Sequence, residues 1–184
     1  MRYEKAFELR GGEALLLRSV RAEDAPALAE YLREMDQSTP YLTREPGEIV
    51  MDAEWVGRER AFLREREEAG RSLMLLAFHE EKMAGNCFFS PVSARRRLQH
   101  RAEFGISVLP CMQGRGLGHL LMETALGLCK GAGFEQAELE VASENLRAVS
   151  LYLSLGFEVV GRVPHLFKNG DGGYFDGYKM MRFL

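Results

Sequence analysis

Residues 108–119 constrain the fold most, because they join an apolar, strand-like run directly to a strongly periodic helix. The segment reads Val-Leu-Pro-Cys-Met-Gln-Gly-Arg-Gly-Leu-Gly-His, with glycine at every second position from 114 to 118. The first turn of a helix carries unpaired N–H groups and a partial positive charge, and glycines let those groups approach an anion closely. The segment therefore predicts a diphosphate site at the start of a helix, with a merely tightly packed helix start as the alternative.

Two common nucleotide loops do not fit this segment. A dinucleotide fingerprint beginning at Gly114 would require glycine where His119 stands, and no acidic residue follows at the position expected for a ribose contact. A P-loop would require Gly-Lys-Ser or Gly-Lys-Thr, and the segment contains no lysine. We therefore expect neither a Rossmann NAD site nor an ATPase.

Strands and helices alternate along the chain. Apolar runs predict strands over residues 13–20, 72–79, 83–90, 102–109, 138–142, 157–163 and 174–184. Helical spacing predicts helices after Asp24, around residues 51–63, over 116–130 and over 144–155. In the second helix we expect Met51, Trp55 and Phe62 to face inward, with Leu63 as a further option. The pattern implies an α/β fold with a mixed sheet and helices on its faces, built as one domain over residues 1–184.

Composition narrows the function classes. The 24 Lys and Arg residues against 27 Asp and Glu residues leave a formal charge of -3, which favours neither nucleic acid nor a membrane surface as partner. No stretch approaches the ~20 apolar residues that span a bilayer, so we expect a cytoplasmic protein. The three cysteines and four histidines lack the spacing of a disulfide framework or a metal site, so no metal is expected.

Two motifs resemble the GNAT acyltransferase superfamily. The family's pattern Gln/Arg-x-x-Gly-x-Gly/Ala is present as Gln113, Gly116 and Gly118, and residues 144–157 are similar to its Asn-x-x-Ala-x-x-Leu-Tyr…Gly-Phe helix. One predicted strand lies between the motifs, which is the family's order, and the resemblance covers about residues 72–163. The opening residues 17–24 and the closing residues 173–180 are similar to the family's first and last elements more weakly.

The resemblance implies a GNAT-like fold with a mixed, mostly antiparallel sheet, and acetyl-CoA as cosubstrate. Backbone amides of residues 113–119 would bind the coenzyme pyrophosphate, and Val108 and Leu109 would pair their backbone with the pantetheine arm. Asn145 would cap its helix and also contact the pantetheine. The implied coenzyme-binding set is Val108, Leu109, Gln113, Gly114, Arg115, Gly116, Leu117, Gly118, His119, Asn145, Ala148 and Tyr152.

Amine acetylation requires a base, because only the unprotonated amine can attack the thioester. An amine whose ammonium form has a pKa of ~10.4 is mostly protonated at pH 7, and removing that proton costs ~4.6 kcal/mol. Glu103, at the start of the strand that leads to the glycine loop, is the candidate base, since the family often places a glutamate there. An alternative is that Glu103 faces solvent or pairs with one of the arginines at 95–97. His100 and Ser107 are the next candidates.

The departing thiolate requires a proton donor, and the resemblance implies the hydroxyl of Tyr152. The alternative is a ring that only packs beside Leu151 and Leu155. Cys111 stands next to the loop, but no His and Asp or Asn partners can be identified around it, so we expect direct transfer without an acyl-enzyme.

The predicted function is transfer of an acetyl group to a primary amine in a ternary complex. The acceptor, a small molecule or a peptide, is not identified by any motif, although the cluster at 174–176, Tyr-Phe-Asp, is one candidate receptor for a cation. The sequence leaves open whether the chain forms a homodimer. The rival hypothesis is a non-catalytic acyl-CoA-binding sensor or partner subunit of the same fold, which would release no thiol in the presence of amines.

Acetyl-CoA is expected to raise the melting temperature of the purified protein, because a helix-end phosphate site is absent from the unfolded chain. Thermal unfolding with acetyl-CoA, NAD and ATP at equal concentration measures this. A larger shift with either nucleotide would rule out the coenzyme assignment.

Overall fold

The computed structural model describes residues 2–9 and 11–184, and for residues 66–69 the backbone alone. The strands are β1 (Glu4–Glu8), β2 (Ala14–Ser19), β3 (Leu73–His79), β4 (Lys82–Pro91), β5 (Arg101–Val108), β6 (Gln136–Ala142), β7 (Glu158–Lys168) and β8 (Tyr174–Phe183). The helices are α1 (Ala25–Asp36), α2 (Ala53–Ala69), α3 (Leu117–Gly131) and α4 (Leu146–Ser154). None of these helices, within the described residues, is long and apolar enough to cross a membrane.

The strands form an 8-stranded sheet in the order β1-β2-β3-β4-β5-β6-β8-β7. Strands β5 and β6 run parallel, and every other neighbouring pair is antiparallel. The expected mixed, mostly antiparallel sheet is therefore confirmed. Its parallel pair is required by the crossover through α3, which returns the chain to the sheet in the same direction.

Helices cover both faces of the sheet, as expected. Successive side chains of a strand point to opposite faces, and on β3 the fully buried Leu75 and Leu76 separate accordingly. Leu75 belongs to the same buried cluster as Leu121 of α3, whereas Leu76 belongs to a second cluster with Leu28 of α1 and Leu63 of α2. The sheet thus has an α3/α4 face and an α1/α2 face, each with its own apolar core.

The parallel pair β5–β6 is short. Its register is Arg101 with Gln136, Ala102 with Ala137 and Glu103 with Glu138. Beyond these pairs β5 stays bonded to β4 and β6 to β8, so the two strands diverge and leave a gap inside the sheet.

The β5 backbone groups that face this gap follow from the ladder with β4. Hydrogen-bonded and non-hydrogen-bonded residue pairs alternate between antiparallel strands, and the Leu109 N–H donates to the Ala84 carbonyl at 3.0 Å. The backbone groups of Phe104, Ile106 and Val108 therefore point away from β4, toward β6.

Three sequence expectations differ from the structure. Phe62 is 46% exposed while Leu63 is fully buried, because Leu63 continues the inward stripe that begins eight residues earlier at Trp55. Strand β1 was not expected, since its sequence Glu-Lys-Ala-Phe-Glu is a polar edge strand with little apolar pattern. Strand β7 continues to Lys168, five residues past the predicted end at 163, because its hairpin with β8 extends that far.

Candidate active site

A cavity of about 1860 Å³ occupies the gap between β5 and β6 and is lined from both faces of the sheet. Gly116 and Tyr152 line it on the α3/α4 face, and Leu32 and Trp55 on the α1/α2 face. Pockets for one small ligand usually measure about 300–1,000 Å³. The cavity is therefore large enough for two reactants that meet within the sheet.

The predicted glycine loop opens onto this cavity. Gly114 and Gly116 have φ of +76° and +90°, in the left-handed region that favours glycine. A Cβ built on either residue would meet nothing within 4 Å, so both project into open space. Gly116 is the N-cap of α3, which places the unpaired N–H groups of the first helical turn at the cavity wall. Leu117 lies in the core, 1% exposed, and is not among the cavity-lining residues.

Side chains brace the loop on two sides. Arg115 forms an ion pair with Glu13, just before β2. Gln113 Nε2 donates to the Val108 carbonyl at 3.0 Å, and Gln113 Oε1 accepts from the Arg147 guanidinium. The loop is thereby tied to the end of β5 and to the first turn of α4. Sequence reasoning missed Arg147, because only the fold brings it next to Gln113.

The predicted pantetheine contacts need one correction. Leu109 has both backbone groups engaged, its N–H with Ala84 and its carbonyl with the Met112 N–H at 2.9 Å. Val108 faces the gap, but its carbonyl already accepts from Gln113. Ile106, which the sequence did not single out, faces the gap by the alternation of the ladder and lines the cavity. An extended ligand in the gap would therefore pair with Ile106 and Val108 rather than with Leu109.

Helix α4 begins at the cavity wall. Asn145 Oδ1 accepts from the Ala148 N–H at 3.2 Å, so the expected N-cap is observed. Asn145 and Ala148 both line the cavity. His119, at the start of α3, also lines it and lies 3.7 Å from Glu123 one helical turn on.

Tyr152 lies on the α3/α4 side of the cavity. It is 6% exposed, lines the cavity and packs its ring 5.9 Å from that of Phe157. Burial raises the pKa of its hydroxyl above the usual value, and the neighbouring Cys87 adds to the rise. No hydrogen bond joins this hydroxyl to another residue in the described part of the chain. Tyr152 is therefore a neutral donor available to a ligand in the cavity.

Glu103 lines the opposite side of the gap. Its neighbours Ala102 and Phe104 are buried in the α3-side core, so Glu103 projects to the α1/α2 face. Its Oε1 accepts from the Ser90 hydroxyl at 3.1 Å. The alternative, an ion pair between Glu103 and one of the arginines at 95–97, is not among the contacts of the described residues. Those arginines lie in a turn that has no buried residue.

Ser107 and His100, the other two candidate bases, lie in different surroundings. Ser107 lines the cavity, and its Oγ lies 2.8 Å from the buried Tyr31 hydroxyl of α1. His100 precedes β5 and is not among the cavity-lining residues; its carbonyl accepts from the Glu135 and Gln136 N–H groups. Ser107 is therefore within reach of a reactant, and His100 is not.

Strand β6 brings two further carboxylates to the cavity that sequence reasoning did not select. Glu138 forms an ion pair with Arg101, and this hydrogen-bonded guanidinium lowers the pKa of Glu138. Glu140 lies 3.0 Å from Lys179 Nζ of β8. The alternation Glu-Leu-Glu-Val-Ala indicated that both share a face, but only the fold shows that the face borders the gap.

The cluster at 174–176 is not a free receptor for a cation. Asp176 accepts from the His165 N–H at 2.9 Å and is bound by Arg162, and both contacts lower its pKa. Tyr174 stacks on His165 with ring centroids 4.5 Å apart. Because the carboxylate already has these partners and does not line the cavity, that interpretation of the sequence is not supported.

Comparison with known proteins agrees with the family resemblance of the two sequence motifs. Residues 30–157 match the family described as Acetyltransferase (GNAT) family. L-amino acid N-acetyltransferase AaaT of Escherichia coli is 33% identical over 93 residues, which is 50% of this chain and 56% of AaaT. The matched stretch thus spans little more than half of that curated relative.

Solved structures match over nearly the whole chain. An acetyltransferase of the GNAT family from Streptococcus pneumoniae superposes with a TM-score of 0.86 at 26% identity, over 92% of this chain and 99% of that one. The structure of yncA from Salmonella typhimurium, solved with its cofactor acetyl-CoA, superposes with a TM-score of 0.79 at 20% identity. This match covers 92% of this chain and 94% of that one. The expected fold is confirmed.

Gly116→Ala is expected to weaken acetyl-CoA binding about tenfold or more, since the added methyl group would project into the cavity where the α3 amides are exposed. Gly133→Ala is the matched control. Gly133 has a φ of +83° at the other end of α3 and likewise has no atom within 4 Å of a built Cβ. Each variant should therefore carry a similar backbone strain of roughly 1–2 kcal/mol. Calorimetric titration measures both affinities, and equal values would show that the loop is only a packing turn.

Proposed function

The chain belongs to the acetyltransferase (GNAT) family, and we propose that it transfers an acetyl group from acetyl-CoA to a primary amine by direct attack in a ternary complex. The observation that carries this proposal is the cavity through the β5–β6 gap, which joins the amide-lined start of α3 to the carboxylate-bearing side of β5. Residues 1–184 are taken as one catalytic domain, supported by a sheet that runs from β1 to β8.

Coenzyme binding is assigned to the α3/α4 side. The pyrophosphate would accept hydrogen bonds from the backbone of residues 113–119, where the helix dipole adds positive potential. Arg147 strengthens this side, because its partner Gln113 is neutral and leaves its charge uncompensated. The pantetheine amides would pair with the backbone groups of Ile106 and with the Val108 N–H, as an added strand does at a sheet edge, while the Val108 carbonyl stays bonded to Gln113.

Tyr152 is the proposed acid. A thiolate leaving the thioester is stabilised by a donor that is already positioned and already protonated. The raised pKa keeps the Tyr152 hydroxyl protonated across the neutral range, and its lack of a described partner leaves the proton available. The contact with the Phe157 ring, at 5.9 Å between centroids, holds the Tyr152 ring in place at the cavity wall.

Glu103 is the proposed base, acting directly or through one water. Of the described glutamates at the β5–β6 gap, Glu138 and Glu140 each have a cationic partner, whereas Glu103 accepts only from the Ser90 hydroxyl. A carboxylate without a cationic partner has acceptor positions open to the proton of an incoming ammonium group. Glu140 is the second candidate, because it lies past the last β5–β6 pair, in the open part of the gap.

An acyl-enzyme route is not proposed. Cys111 is exposed outside the cavity lining, and Cys87 and Cys129 are buried with thiol pKa values raised by that burial. Buried thiols of raised pKa are poor nucleophiles. Thiol release on addition of amines separates this enzyme from the sensor alternative.

Replacing Glu103 by Gln is expected to lower kcat/KM by ~10²-fold near neutral pH, with partial recovery at higher pH as the amine loses its proton unaided. Affinity for acetyl-CoA should hardly change. The pH profile of thiol release measures this, with Glu140→Gln as the matched variant on β6. If Glu140→Gln shows the loss and Glu103→Gln does not, the base is Glu140.

Tyr152→Phe is expected to lower kcat while the rising, base-dependent limb of the pH profile stays in place, because the ring is kept and only the donor is removed. Phe157→Leu tests packing alone, since Phe157 touches the Tyr152 ring but carries no donor. Stopped-flow thiol release gives both rates. Equal losses in the two variants would mean that Tyr152 acts by packing.

A further inference from the structure

The part of the cavity on the α1/α2 face, here called the acceptor half, has an apolar wall. It is lined by Leu28, Leu32, Met35, Leu42, Trp55, Met74 and Phe88. Several of these side chains, including Leu32, Trp55 and Met74, are only partly buried against the core of that face. Their uncovered surface would be removed from water by a ligand with an apolar body.

The cations of the acceptor half are already neutralised. Arg101 is paired with Glu138, and Lys179 Nζ lies 3.0 Å from Glu140. Arg44 Nη2 lies 2.6 Å from Asp36 Oδ1, at an angle outside hydrogen-bond geometry, and its Nε is buried without a partner. Among the described residues of this half, no cation is left to balance a carboxylate on the ligand.

The uncompensated charge in the acceptor half is negative. Glu103, which lines the cavity, has a hydroxyl partner rather than a cationic one. A site with this balance attracts an ammonium group and repels a carboxylate.

A bridge closes the acceptor half on one side. The α1–α2 connection, residues 37–52, meets the β7–β8 hairpin where the Gly170 N–H donates to Glu45 Oε1 at 2.8 Å. The rings of Tyr41 and Phe175 are also in contact, with centroids 5.8 Å apart. Tyr41 and Phe167, one from each segment, line the cavity. A polypeptide laid across the acceptor half would have to break this bridge.

We infer that the acceptor is a small primary amine with an apolar or aromatic body and no carboxylate group. This assignment rests on the acetyl transfer proposed above. The apolar wall would hold the body, Glu103 would face the ammonium, and the paired cations would offer nothing to a carboxylate. The bridge favours a small molecule over the amino terminus of a protein.

A set of acceptors that share one ring tests the assignment: 2-phenylethylamine, phenylalaninamide, phenylalanine and a tetrapeptide amide that begins with phenylalanine. Thiol release gives kcat/KM for each. We expect 2-phenylethylamine to exceed phenylalanine by ~10-fold or more, although it is the more basic amine and offers less free base. The peptide amide should fall below phenylalaninamide by a similar factor.

Three results would overturn the assignment: phenylalanine equal to 2-phenylethylamine, the peptide amide above phenylalaninamide, or no turnover of any acceptor. Thermal stabilisation by acetyl-CoA is measured in parallel. If stabilisation is present without turnover, the acceptor assignment fails; if stabilisation is absent as well, the proposed function fails.

Glu138→Gln tests the charge balance, because it removes the partner of Arg101 and frees a cation in the cavity. The ratio of kcat/KM for phenylalanine to that for 2-phenylethylamine should rise about tenfold. A ratio taken within one variant is unaffected by a general loss of rate. Glu54→Gln, which breaks an exposed ion pair with Arg58 on α2, should leave the ratio unchanged.

Glu140→Gln removes the partner of Lys179 in the same way, and it replaces Glu138→Gln in this test if Glu138→Gln does not fold. An unchanged ratio in the folded variant would contradict charge balance as the basis of selection.

Discussion

The arrangement of the site depends on the early end of the β5–β6 pairing. Each strand is held on its outer side, β5 by β4 and β6 by β8, so the two can diverge after Glu103 and Glu138 without unfolding the sheet. The backbone groups of Ile106 and the N–H of Val108 are left facing the gap, and unpaired backbone groups are costly to bury. The gap therefore suits a ligand that supplies hydrogen-bonding groups along an extended chain.

Charge is divided between the two ends of the cavity. On the α3/α4 side, the start of α3 and the guanidinium of Arg147 present positive potential, with only the neutral Gln113 as partner to Arg147. On the α1/α2 side, Glu103 retains a negative charge while neighbouring cations are paired. A diphosphate and an ammonium group would be drawn to opposite ends. The uncharged Tyr152 hydroxyl, kept protonated by burial, lies in the cavity with them.

Sequence patterns predicted well where the determinants were local. Helix α3 and its glycine loop follow from helical spacing and from three glycines, two of which have positive φ. The N-cap Asn145 is also a local choice. Expectations failed where a neighbour decided the outcome. Phe62 and Leu63 both fit an inward position, and packing against α1 selected Leu63. Leu109 was expected to pair its backbone with the pantetheine arm, but its N–H is bonded to the Ala84 carbonyl of β4.

The sequence by itself determined the order of elements from β2 onward, the glycine-rich start of α3 and the family, because each depends on spacing within one segment. Only the tertiary structure decided which carboxylates border the gap and which of them have cationic partners. Glu103, Glu138 and Glu140 are chemically similar, and they differ mainly through Ser90, Arg101 and Lys179, which approach them from other strands. Such differences arise from contacts between residues far apart in the chain, which no single segment encodes.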